Sequence, residues 1–277
     1  MTTKLRDVPS EFEALDAIVS FIGGREGEEP HPSGSGVFIA PGVALTATHV
    51  LKDYWERLED PETWDEDSSG SFALQAIQYV TGRAEPVAWD VFAAQHVAPL
   101  DIAVVQMAPK NQLPDAFRWP YLTLDVSPPE VGTAIQAFGF PGSAVHLDDH
   151  SGKWLLDEAP AGAMGEVTQI FPEKRDASLM PFPSFEMNIQ VDGGMSGGPV
   201  FDRAGHLRGI LCSSFAFADD ESDASYASLL WPSLVIPLRS TPNLGISGEL
   251  VLVRDLARLG RISVLNYENA RPLQVGQ

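Results

Sequence analysis

Cysteine is almost missing from this chain of 277 residues: Cys212 is the sole example, which excludes an intrachain disulfide. A chain of this length buries a sizeable core without such bridges, so it is either adapted to a reducing compartment or stable unaided. Basic residues are also scarce, with 18 Lys and Arg against 38 Asp and Glu, for a formal net charge of −20. Phosphate recognition needs a basic surface, so nucleic acid is excluded as a partner. Long apolar runs are missing too. No segment reaches the roughly 20 residues that cross a bilayer, so no membrane partner is expected. Met1–Ser20 carries Lys4, Arg6, Asp7, Glu11, Glu13 and Asp16 without an uninterrupted apolar stretch, which is not a secretory signal; cytoplasmic residence is the expectation. Much of the acid sits in Asp53–Asp67, read as a solvated insertion ahead of a docking surface for a basic substrate or partner.

Proline and glycine, by contrast, are plentiful and punctuate many short strand-like runs. Ala17–Ile22, Ser71–Val80, Val131–Phe140, Gly165–Phe171 and Phe185–Val191 are examples, and they predict an all-β fold. Helical periodicity appears mainly near the ends, where Ser247–Leu259 reads as a short, capped amphipathic helix.

Three segments carry chemistry. Asp192-Gly-Gly-Met-Ser-Gly-Gly-Pro-Val200 places Ser196 on a glycine-rich turn, where the N–H groups of Gly194 and Ser196 can converge as an oxyanion hole. Gly34–His49 reads as two apolar strands around a Pro41-Gly42 turn, ending on His49. Leu100–Gln106 is a strand whose first polar residue is Asp101. A serine hydroxyl is a poor nucleophile until a base removes its proton, and a neutral imidazole held by a carboxylate supplies that base. Gly194–Gly198 also fits the G-x-S-x-G elbow of α/β-hydrolases. That fold needs a helix next, whereas Pro199 pushes Gly198 toward extended geometry, and its histidine follows the acid. The one later histidine, His206, falls within a predicted hairpin of Pro199–Asp202 and His206–Cys212. His146 and His150 would share a face only of a helix; the flanking Pro141-Gly142-Ser143 and Ser151-Gly152 favour a surface loop, and neither a metal nor another cofactor is expected.

Thr46-Ala-Thr-His49, Asp101-Ile-Ala103 and Gly194-Met-Ser-Gly-Gly-Pro199, in this order, resemble the chymotrypsin/trypsin-like serine proteases through most of residues 15–240. The resemblance implies two antiparallel six-stranded β-barrels: residues 15–125 carrying His49 and Asp101, and residues 126–245 carrying Ser196. Residues 1–14 would be an extension, and 246–277 a helix and tail. It also implies an intracellular endopeptidase acting on protein or peptide substrates through an acyl-enzyme. A catalytically inactive scaffold and an esterase are the competing readings. The compact motifs are similar to the catalytic part of bacterial HtrA proteases, without room for a PDZ module. Six residues before the nucleophile, where trypsin-like relatives place an aspartate, stands Gln190; with Cys212, Ser213 and Ser214 as further pocket residues, this predicts uncharged side chains at P1. Met195 replaces the aspartate that pairs with a new N-terminus in digestive relatives. Control is then expected through ordering of the loops around Gly193–Gly197 by substrate or an activating protein partner.

Overall fold

The computed structural model describes residues 6–7, 13–25, 29–55, 72–83, 85–113, 117–120, 122–215, 224–240 and 251–269. After β1 (Arg6–Asp7), the first half runs through β2 (Ile18–Arg25), β3 (His31–Ala40), β4 (Val43–Thr46), α1 (Thr48–Trp55), β5 (Phe72–Gln78), β6 (Val87–His96) and β7 (Ala103–Pro109). The strands β2-β3-β4-β7-β6-β5 close into a barrel. Ile18, Val37, Leu45, Trp89 and Val104 are among their buried residues. Burying such side chains is the main stabilising contribution, at about 25 cal/mol per Å² of apolar surface. Trp89 satisfies its indole N–H on Gln78 Oε1 at 3.1 Å, so its polar atom is not orphaned. The predicted Pro41-Gly42 turn joins β3 to β4; Gly42 has φ +70°, and a Cβ there would come within 2.6 Å of the Met107 carbonyl oxygen.

The second half contains β8 (Thr123–Asp125), β9 (Ala134–Gly139), β10 (Ala144–Asp148), β11 (Lys153–Asp157), β12 (Ala161–Phe171), β13 (Ser184–Met187), β14 (Pro199–Asp202), β15 (Leu207–Phe215) and β16 (Ala224–Leu229). The path β14-β9-β12-β13-β16-β15 closes on itself through the β14–β15 hairpin, giving the second six-stranded antiparallel barrel. The fold is therefore all-β and chymotrypsin-like, as the motifs implied. Beyond β17 (Pro237–Leu238) and β18 (Val251–Leu252), the chain forms α2 (Val253–Arg258) and β19 (Ser263–Leu265).

Several boundaries differ from the expected ones. Thr123–Asp125 pairs in parallel with β15 and β19, so these residues belong to the second sheet rather than the first barrel. The tail is likewise an added strand of that sheet, and Arg6–Asp7 pairs with Ala161 and Gly162 of β12. The terminal helix starts at Val253, not Ser247. Val251 and Leu252 are held extended by pairing with Leu238 and Pro237, and the Asp255 carboxylate accepts the Leu252 N–H at 2.9 Å to start the helix; residues 241–250 lie outside the described residues. His146 lies on β10 of a two-stranded hairpin and His150 in its turn, so the segment is neither helix nor loop. Of the acidic Asp53–Asp67 stretch, Asp53–Trp55 continues α1 and residues 56–67 lie outside the described residues.

One buried ion cluster ties the tail to this barrel. Arg208 on β15 contacts the Asp125 carboxylate and donates to the Ser127 carbonyl oxygen at 3.2 Å. Asn266 donates to the other Asp125 oxygen at 2.8 Å. Burial raises the Asp125 pKa, but the hydrogen bonds from Asn266 and Ser127, with the Arg208 guanidinium, outweigh it and hold the group below the usual carboxylate value.

Candidate active site

His49 is the second residue of α1, where backbone N–H groups have no partner within the helix. Asp101, in the turn before β7, satisfies it: Oδ1 accepts the His49 N–H at 3.0 Å, and Oδ2 lies 2.8 Å from His49 Nδ1. One carboxylate thus fixes both the backbone and the ring. Since a carboxylate only accepts, Nδ1 carries the proton in this pair and Nε2 is left to accept. The Asp101 side chain is 15% exposed and the imidazole 40%, so the acid is sheltered behind the base. Thr48 Oγ1 donates to the Leu100 carbonyl oxygen at 3.1 Å, which holds the Asp101 turn against the helix start.

Ser196 lies on the turn before β14, in the second barrel, and reaches the first through backbone contacts. The Ser35 N–H donates to the Ser196 carbonyl oxygen at 2.7 Å. Ser35 Oγ donates to the Gly194 carbonyl oxygen at 2.7 Å and accepts the Phe140 N–H at 3.0 Å. Thr46 Oγ1 in turn donates to the Ser35 carbonyl oxygen at 2.6 Å. Gly197 has φ +82°, and any side chain there would collide with Ser35 and Thr46, three residues before His49. The Ser196 turn is therefore seated on the strand ends that lead to His49. No hydrogen bond joins Ser196 Oγ to His49 among the described residues.

The expected oxyanion donors are fixed from behind. The Gly142 N–H holds the Gly193 carbonyl oxygen at 3.2 Å, and the Gly198 N–H holds the Met195 carbonyl oxygen at 2.9 Å. In a trans peptide the N–H opposes the carbonyl, so these bonds orient the N–H groups of Gly194 and Ser196 in the other direction. Gly194 has φ +98°, and a Cβ there would strike the Phe140 carbonyl. A cavity of about 220 Å³ opens beside this turn, lined by Ser33, Gly34, Phe140, Ser143, Gly193 and Gly194.

The expected pocket residues lie on neighbouring segments: Ser225 of β16, which pairs with Ser214, donates its hydroxyl to the Ile189 carbonyl oxygen at 2.8 Å. Gln190 is exposed. Cys212 is buried, 4% exposed, in a small apolar cluster with Leu100, Met180, Phe182 and Tyr226. Ser213 and Ser214 pair with Tyr226 and Ser225 of β16, and their side chains lie outside the described residues. His206 is not beside Ser196; its Nδ1 lies 3.3 Å from Asp202 Oδ2 at the end of the β14–β15 hairpin. Sequence reasoning missed Ser35, although it stands inside the quoted Gly34–His49 segment, and it missed Tyr226. The Tyr226 hydroxyl donates to Glu186 Oε2 at 2.8 Å, with the Arg175 guanidinium 4.6 Å from the ring centre. Burial, then the Glu186 hydrogen bond, pushes the phenol up to about 12.

Two barrels with a histidine–aspartate pair on one and a serine turn on the other define the chymotrypsin-like class. Residues 34–210 match the model of the trypsin-like peptidase domain, and this chain belongs to that family. Searching the curated proteins found no match to it. Among solved structures it is similar to Deg5, at 17% identity and TM-score 0.52, over 79% of this chain and 85% of that one. It is also similar to the Rv3671c protease of M. tuberculosis in its active form, at 16% identity and TM-score 0.49, over 80% and 79% of the two chains. A third is the MamO protease domain of Magnetospirillum magneticum, at 16% identity and TM-score 0.49, over 79% and 94%. No helix among the described residues is long and apolar enough to cross a membrane.

Proposed function

We propose that this chain is a serine endopeptidase that cleaves protein or peptide substrates through an acyl-enzyme on Ser196. The observation that carries the reading is the His49–Asp101 pair, joined to the Ser196 turn through Ser35. In this mechanism His49 Nε2 takes the Ser196 proton as Oγ attacks the scissile carbonyl, and the Asp101 carboxylate stabilises the resulting imidazolium. The N–H groups of Gly194 and Ser196 hold the oxyanion. His49 then protonates the leaving amine, and a water molecule repeats the sequence to release the acid. Ser196 and His49 come within hydrogen-bond reach as substrate fills the cleft, since such bonds tighten on going from free enzyme to complex.

A protease-like scaffold without chemistry is favoured by one observation, the missing Ser196–His49 bond. Labelling with a fluorophosphonate, read by peptide mass spectrometry, separates the two. The wild type is expected to label on Ser196, and Ser196→Ala or His49→Ala to lower peptide hydrolysis by about four orders of magnitude while keeping a cooperative melt. Equal hydrolysis by wild type and Ser196→Ala would overturn the endopeptidase reading.

A further inference from the structure

Glu158 follows β11 at the root of the β10–β11 hairpin, opposite Ser143, one step beyond the Ala144–Asp157 pair. It reaches from the second barrel into the first. Ser20 Oγ on β2 donates to Glu158 Oε1 at 2.6 Å, and the Tyr79 hydroxyl, just after β5, also hydrogen-bonds the carboxyl. The Tyr79 ring packs on Phe140 with centres 5.7 Å apart. On the other side, Ser143 Oγ lies 3.1 Å from Glu158 Oε2 and 3.1 Å from the Phe140 carbonyl oxygen.

Ser143 has one hydroxyl proton for these two contacts. If both neighbours only accepted, one of the two 3.1 Å contacts between oxygens would lack a proton of its own. A proton on Glu158 Oε2 resolves the count: Glu158 donates to Ser143 Oγ, and Ser143 donates to the Phe140 carbonyl. Ser20 then donates to the remaining carboxyl oxygen, and the Tyr79 hydroxyl donates to the carboxyl group. Phe140 is the residue on which the oxyanion turn rests. Its carbonyl packs against Gly194, and its N–H reaches the Gly194 carbonyl through Ser35 Oγ.

We propose that Glu158 is a positioning residue for the oxyanion turn, acting as a hydrogen-bond donor that leaves the Ser143 hydroxyl to hold the Phe140 carbonyl under Gly194. The inference rests on the reading of Gly194 and Ser196 as oxyanion donors. Burial favours the donor form: it pushes the Glu158 carboxyl above the usual range, against the opposing effect of its hydrogen bonds from Ser20, Tyr79 and Ser143. Burial likewise pushes the Tyr79 phenol up, so Tyr79 stays a donor.

The test uses Glu158→Gln, Glu158→Ala and Ser143→Ala in the full chain, each checked for a cooperative melt. Fluorophosphonate labelling is resolved into the reagent's reversible binding constant and its maximal rate. Glutamine keeps an N–H donor facing Ser143, so Glu158→Gln is expected to label within about threefold of wild type. Glu158→Ala and Ser143→Ala are expected to lose about tenfold or more in maximal rate with binding nearly unchanged, because a misplaced oxyanion donor acts on the transition state. Hydrogen exchange of the peptide covering residues 190–198 is measured alongside. It is expected to quicken in Glu158→Ala and to stay at the wild-type rate in Glu158→Gln. Labelling of Glu158→Ala at the wild-type rate, or of Glu158→Gln as slowly as Glu158→Ala, overturns the proposal. A wild type that does not label overturns the peptidase reading instead. Exchange then decides the bracing: faster exchange in Glu158→Ala and Ser143→Ala but not in Glu158→Gln supports it, and equal exchange in all variants overturns it.

Discussion

Ser35 makes three hydrogen bonds with its N–H and hydroxyl, to Ser196, Gly194 and Phe140, and it is fully buried. Replacing it by alanine keeps the backbone bond to Ser196 but strands the Gly194 carbonyl and the Phe140 N–H away from water. A buried polar group left unpaired costs about 1–3 kcal/mol, so Ser35→Ala is expected to lower unfolding free energy by that order, measured by denaturant titration. Peptide hydrolysis should fall further than the folded fraction accounts for, because the turn loses its hold on the oxyanion donors. The His49–Asp101 contact and the glycine-rich Ser196 turn were legible in the sequence because each residue sits inside a short local pattern. Ser35 and Glu158 were not. Their partners lie 159 and 138 residues away, at Gly194 and Ser20, and nothing local distinguishes Glu158 from the other acids of this chain.

Strand order and hairpins follow the alternation of apolar residues and the Gly/Pro punctuation, which is why β2, β5, β9, β12 and β13 fall within a few residues of the predicted runs. The elements that escaped are those fixed by distant partners. β8 and β19 exist through parallel pairing with each other, and the cluster of Asp125, Arg208 and Asn266 joins them to β15. Asp125→Asn removes the carboxylate from beside the buried Arg208, and breaking such a pair costs about 3–5 kcal/mol. The sign with pH follows from the depressed pKa of Asp125 in the folded chain. Its stabilisation is fully present above the unfolded carboxylate value of about 3.9 and is lost as pH falls through the lower folded value. Melting temperatures from pH 7 down to pH 2 are expected to converge for wild type and Asp125→Asn at the acid end. Parallel curves would remove Asp125 from the acid limb.

At the scale of the whole molecule, the second barrel presents its Ser196 turn to the first without an ion pair at Met195. That side chain is fully buried, packed against Gly139 of β9, where a carboxylate would be stranded without a cation. Met195→Asp is therefore expected to destabilise the chain by several kcal/mol rather than to create a switch operated by a new N-terminus. Fluorophosphonate labelling of the intact chain should not rise on limited N-terminal trimming; a rise that depends on an unblocked new terminal amine would refute this. The two-barrel plan itself was legible because three motifs in order imply it, whereas the meeting of the barrels depends on glycines such as Gly197, whose lack of a side chain carries no pattern.

The Ser35 clasp also sets an order of events during synthesis. The first barrel emerges from the ribosome with His49 and Asp101 but no nucleophile. Ser196 follows, yet its turn has no fixed shape until Leu211 has emerged to pair with Gly198 and Gly197, and until the second barrel has docked on Ser35. A half-made chain is thus chemically blank. On the endopeptidase reading proposed above, competence would arrive only with the last large folding step, after the polypeptide that could have been its first victim has already been put away.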